Sequence, residues 1–128
     1  MERSADWLYQ AEGDLDHARN DLQNGFYDWA CFSAQQAAEK AVKAALKKTG
    51  QEVWGHSIAD LLDVLAERFF VPGDLRDMAL ELDKGYITTR YPDALPNGAP
   101  RDRYTRTEAE RFVSHAERIV EFCKGLLA

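Results

Sequence analysis

The stretch FYDWACFSAQQAAEKAVKAALKK, residues 26–48, decides the fold. Its first half (Phe26, Tyr27, Trp29, Ala30, Cys31, Phe32) is apolar nearly all round, which suits a central helix covered on several sides. Ala30, Ala34, Ala37, Ala38, Ala41, Ala44 and Ala45 follow. Alanine is the best helix former and is small enough to let a neighbouring helix approach closely. The polar residues Gln35, Gln36, Glu39, Lys40, Lys43, Lys47 and Lys48 cluster along the same stretch, and Gly50 ends it.

Working outward, Trp7, Ala11, Leu15, Ala18 and Leu22 recur every three or four residues between Ser4 and Asn24, the spacing of one helical face. Ser4 is a candidate N-cap and Gly25 a stop. Downstream, Trp54-Gly55-His56-Ser57 is a turn, and Ser57 with Asp60 resembles a capping box ahead of the stripe Ile58, Leu61, Leu62, Leu65. Pro72-Gly73-Asp74 opens a fourth helix carrying Leu75, Met78, Ala79 and Leu82. A fifth starts at Thr105 or Thr107, each with a glutamate three residues later, and buries Phe112, Val113, Ala116, Ile119, Val120 and Cys123. Between helices four and five, Pro92, Pro96 and Pro100 forbid a continuous helix across Thr89–Tyr104. Strand alternation is absent. The expected fold is all-α: one domain over residues 1–128, an up-and-down bundle of four main helices plus a shorter helix.

Composition bounds the rest. With 128 residues, 45% of them hydrophobic, the chain can build one core and has no room for a cofactor domain plus a substrate domain. A mean hydropathy of -0.49 and the lack of an apolar run near the ~18 residues of a membrane span point to a cytoplasmic protein off the membrane. The opening Met-Glu-Arg-Ser-Ala-Asp has no apolar core of a secretory signal. Cys31 and Cys123 stand far apart with no CxxC spacing and read as buried apolar thiols rather than a disulfide or a zinc site.

The net charge of -6 argues against non-specific coating of duplex DNA, yet it is unevenly spread. Residues 1–21 hold six acids against Arg3 and Arg19, a net of -4. Residues 84–106 reverse the sign, with Lys84, Arg90, Arg101, Arg103 and Arg106 against Asp93 and Asp102, a net of +3. Tyr86, Tyr91 and Tyr104 interleave with those arginines, and both residue types suit nucleotides: guanidinium for phosphate, aromatic faces for bases. The plainer reading is a solvated loop whose arginines pair with the acidic first helix.

Lys40, Lys43 and Lys47 form a cationic stripe on the second helix, ordinarily a solvated face. His17 sits among acids and reads as surface, while His56 is either a turn residue bonding the next helix or part of a polar site. Arg111 and His115, four apart, share a helix face. Such a pair suits metal-independent RNA cleavage, with histidine moving a proton at the 2′-hydroxyl and arginine steadying the phosphorane charge. No metal-ligand spacing, glycine-rich phosphate loop or serine–histidine–aspartate spacing is present, so neither metal nor cofactor is implied.

Ala34-Gln35-Gln36-Ala37-Ala38-Glu39-Lys40-Ala41-Val42-Lys43-Ala44, Gly55-His56-Ser57 with Leu61-Leu62, Leu82-Asp83, Tyr86-Ile87, Thr89-Arg90-Tyr91-Pro92-Asp93-Ala94 and Tyr104 together resemble the HEPN (higher eukaryotes and prokaryotes nucleotide-binding) domain, in order and over nearly the whole chain. The resemblance implies a prokaryotic helical bundle that pairs as a homodimer or higher even oligomer about a shared cleft. It also implies a separately encoded minimal nucleotidyltransferase partner, as in toxin–antitoxin systems. Active ribonucleases of the family carry Arg, four to six residues, then His. Here Asn97 stands six intervening residues after Arg90, and Arg111 and His115 are separated by three. The residues thus fit nucleotide or RNA binding better than cleavage. Arg90 is expected to hold phosphate, Tyr91 to stack, and Asp93 to orient Arg90 or accept from a base or ribose, with Lys40 and Lys43 extending the cationic surface. The alternatives are a metal-independent endoribonuclease using Arg111 and His115, and a purely structural interaction protein in which the Arg90 segment only fixes the loop.

Overall fold

The computed structural model describes residues 2–128. Its long helices are α1 (Ser4–Gln23), α2 (Tyr27–Lys48) and α7 (Arg106–Leu127); the shorter ones are α3 (Ile58–Leu65), α4 (Gly73–Asp83), α5 (Gly85–Thr88) and α6 (Pro100–Arg103). A 3₁₀ turn spans Pro92–Ala94. The architecture is the expected all-helical bundle, with no strand among the described residues. The centre is α2, which packs along α1 on one side and α7 on another and also meets α3 through α6. Its alanines 30, 34, 37, 38 and 41 are fully buried, so small side chains let three elements close on one helix.

The turn between α1 and α2 needs Gly25, whose φ of +84° lies in the left-handed region. Position 4 differs from its expected role: Arg3 is the N-cap of α1, and Ser4 is its first helical residue, buried, with no side-chain cap bond. The start of α7 settles at Thr105, whose hydroxyl accepts from the Glu108 N–H while the Glu108 carboxylate accepts from the Thr105 N–H. Ser57 does cap α3, its Oγ accepting from Asp60 N–H at 3.2 Å. The carboxylate of that cap comes from Asp83, at the end of α4, rather than from Asp60. Asp83 accepts from the N–H groups of Ile58 (2.7 Å) and Ala59 (3.2 Å) and from the Ser57 hydroxyl (3.0 Å). An anion at a helix N-terminus satisfies orphan donors and meets the positive end of the helix dipole. This contact pins α4 to α3 and fixes where the chain enters α5.

Cys31 and Cys123 are free and buried, and loss of water around them pushes both thiols up to about 12. No helix among the described residues is long and apolar enough to cross a membrane.

Candidate functional site

Short α5 sits between α4 and the proline-rich segment and presents Tyr86 toward α2. Gly85 permits this position: a Cβ there would lie 2.7 Å from Cε2 of Phe112 on α7, closer than carbon atoms pack. Thr89, 1% exposed, donates its hydroxyl to the Gly85 carbonyl at 2.6 Å and locks the exit of the turn. The next residue is Arg90.

The Arg90 guanidinium carbon lies 4.2 Å from the ring centre of Phe32, 4.9 Å from that of Tyr86 and 5.1 Å from that of Tyr91. Its Nε and Nη2 donate to the Tyr86 carbonyl at 3.1 and 2.6 Å. Three π faces and one carbonyl thus hold the cation. It has no carboxylate partner among the described residues, and its Nη1 makes no hydrogen bond there. Arg19, Arg76, Arg106, Arg111 and Arg118, by contrast, each pair with Asp or Glu. None of the arginines between residues 90 and 106 pairs with the acidic α1, so the plainer reading of that basic segment does not describe these contacts.

On Tyr86 also lies His56, its ring stacked at 4.4 Å and 18°. His56 Nδ1 is 3.2 Å from both carboxylate oxygens of Glu39. Glu39 is 4% exposed, and its charge is met by Lys43 Nζ at 3.0 Å and Gln35 Nε2 at 3.1 Å. Gln35 is fully buried; it also donates to the His56 carbonyl at 3.3 Å and accepts from Gln36 at 2.8 Å. A buried carboxylate is tolerated when both oxygens find donors, and here they come from α2 itself and from the turn before α3. Of the two readings left open for His56, membership of a polar site is the one observed.

The expected site residues divide. Arg90, Tyr91 and Lys43 belong to one connected cluster, Lys43 through Glu39 and His56. Lys40 turns away, pairing with Asp14 of α1. Asp93 is exposed in the 3₁₀ turn and makes no bond to Arg90 among the described residues. Phe32, Gln35, Glu39 and His56 join the site although spacing did not select them for it. Sequence signals did exist for three of them: His56 was open as part of a polar site, and Gln35, Glu39 and His56 lie in the stretches that carry the family resemblance.

Arg111 and His115 do share a face of α7, and both converge on Glu81 of α4: Arg111 Nε at 2.8 Å and His115 Nε2 at 3.2 Å from its Oε2. The Arg111 hydrogen bond, with a lesser one from His115, holds the Glu81 carboxyl below its ordinary range, and Glu81 in turn raises Arg111. A cavity of about 520 Å³ adjoins this group, with Lys84, Arg103, Tyr104 and Glu108 on its wall. The third histidine, His17, is 61% exposed; it lies 3.0 Å from buried Ser33 and 3.4 Å from Asp21, tying α1 to α2. No group of three metal-ligating side chains occurs among the described residues.

Comparison with known proteins follows the same outline. The family model described as the HEPN domain matches residues 4–126. A crystal structure of a protein from Thermus thermophilus is 51% identical, superposes with a TM-score of 0.95, and covers 98% of this chain and 99% of its own. A HEPN domain protein from Thermotoga maritima is 54% identical with a TM-score of 0.78, covering 94% of this chain and 96% of its own. Among curated proteins, a toxin candidate of Methanocaldococcus jannaschii is 25% identical, over 94% of this chain and 86% of its own length.

Proposed function

The chain belongs to the HEPN family, and from that premise we propose that it is a nucleotide- or RNA-binding module whose phosphate anchor is Arg90. One observation carries the reading: the Arg90 guanidinium is seated on Phe32, Tyr86 and Tyr91, with free donors and no carboxylate to neutralise it. A cation fixed by π faces keeps its charge for an incoming anion, and its orientation is already set before binding. Tyr91, 51% exposed, offers a face for a base. Lys43 is paired with Glu39 and so joins the cluster by holding that carboxylate rather than as a free charge. Lys40 contributes to a ligand only by leaving its ion pair with Asp14, whereas exposed Asp93, two residues beyond Tyr91, is open to a base or ribose.

In this reading the protein acts as a homodimer or higher even oligomer in the cytoplasm. It serves as a non-catalytic subunit beside a separately encoded minimal nucleotidyltransferase, in a toxin–antitoxin-like pair. The family assignment and the toxin-candidate relative support that setting. Endoribonuclease activity through Arg111 and His115 is the weaker alternative, because Glu81 already occupies both side chains. A developing phosphorane charge would have to compete with that carboxylate.

Fluorescence titration with ATP and with a short single-stranded RNA tests the proposal. Arg90→Ala should weaken binding of at least one of them more than tenfold, with helical content and melting unchanged. Equal affinity in that variant would refute it.

A further inference from the structure

His56 is held in an unusual way for a turn residue. Glu39 accepts at Nδ1, the ring is stacked on Tyr86, and 54% of the side chain remains exposed. Its Nε2 makes no hydrogen bond among the described residues. A carboxylate facing Nδ1 fixes the proton there, so the neutral ring shows a lone pair at Nε2, and a second proton turns that atom into a charged donor. Both groups of interest touch Tyr86: His56 stacks on its ring, and Arg90 packs against that ring and bonds the Tyr86 carbonyl.

We propose that His56 is a second ligand-contacting residue of the Arg90 site, with Glu39 as its positioning residue, and that a phosphoryl group binds there together with a proton taken up at His56 Nε2. This rests on the reading of Arg90 as a phosphate anchor and adds the regulation of that same site. Phosphoryl oxygens are acceptors only; they repel the Nε2 lone pair of neutral His56 and accept from the imidazolium. The charged and titratable groups around His56 are Glu39 and Lys43 of α2, Asp83 of α4 through neighbouring Ser57, and Tyr86 and Arg90. A bound anion would add negative charge beside the ring. Binding and protonation therefore reinforce each other, and affinity for phosphate-bearing ligands rises as pH falls.

The test is calorimetric titration of the full chain with ATP in EDTA, from pH 8 to pH 6, in two buffers of different ionisation enthalpy, with adenosine as the phosphate-free control. Linkage allows at most a tenfold gain per pH unit for one proton. Wild type should gain about fivefold over the range and take up part of one proton, while adenosine shows neither effect. His56→Phe keeps the stack on Tyr86 but loses Nε2, so its pH gain and proton uptake should fall to what the terminal phosphate of ATP, which titrates in the same range, contributes alone. His56→Gln should behave likewise and guards against a folding defect in the phenylalanine variant. Glu39→Gln, which keeps an acceptor but loses the charge, should show a reduced pH gain. A His56→Phe or His56→Gln protein with the wild-type pH gain, alongside an Arg90→Ala protein that binds more than tenfold more weakly, would overturn the inference alone. Wild type that fails to bind ATP at every pH would overturn both this inference and the reading beneath it.

Discussion

Two arginine–histidine groupings sit in one small bundle with opposite electrostatic fates. On α7, Arg111 and His115 are four residues apart and close on a single carboxylate, Glu81. Beside α5, Arg90 and His56 come from segments 34 positions apart in sequence and meet on the ring of Tyr86. The carboxylate of that second grouping, Glu39, is buried and already balanced by Lys43, and it faces the histidine rather than the arginine. The adjacent pair is therefore close to neutral as a unit, while the assembled one keeps an unneutralised guanidinium. Proximity in sequence marks a shared face; availability for an anion depends on which acid the fold delivers to it.

The sharpest way to break this comparison is substitution of the two arginines in parallel. Charge-assisted hydrogen bonds contribute about 1.5–3 kcal/mol, so Arg90→Ala should cost roughly 2 kcal/mol of nucleotide or RNA affinity, about thirtyfold. Arg111→Ala should change affinity less than twofold. Equal losses would place the site elsewhere. Next in size is the scaffold under Arg90. Gly85→Ala puts a methyl 2.7 Å from Phe112, and overpacking of this kind costs about 1–3 kcal/mol, measurable as a lower denaturant midpoint. An unchanged midpoint would mean that α5 shifts freely and does not fix Arg90.

Smaller again is Tyr91→Ala. It removes one of three π faces behind Arg90 and the face offered to a base, and should cost about 1 kcal/mol of affinity. The least effect lies at Glu81, whose folded pKa is depressed. Its ion pair stabilises the fold above the ordinary glutamate value of 4.5 and loses that contribution as pH falls through the lowered folded value. With 38% of the Glu81 side chain exposed, screening limits this to a few tenths of a kcal/mol. Melting of wild type against Glu81→Gln between pH 7 and pH 3.5 should show the gap closing on the acid side; a gap that widens there would reverse the assignment of the pair.

The bundle itself was legible because its signals are local. The alanine run of α2, the apolar stripe of α7 and the prolines at 92, 96 and 100 act within a few residues, where propensity and periodicity operate. The shared face of Arg111 and His115 was visible for the same reason. Glu81, which changes what that face can do, comes from another helix 30 positions away. Asp83 capping α3 and Glu39 binding His56 were equally hidden, since a carboxylate that serves a distant N–H or ring nitrogen looks like any surface acid in sequence. Lys40 fell within the right stretch, but a salt bridge to α1 directs it away from the cluster, and the expected bond from Asp93 to Arg90 is not formed.

Arg90 is available to an anion, and Arg111 is not. Side-chain ¹⁵Nε–¹H correlation spectra of the arginines, followed during titration with ATP, test it most directly. The Arg90 resonance should move progressively to saturation while that of Arg111, held by Glu81, stays in place. Movement of Arg111 with Arg90 unmoved would contradict the account.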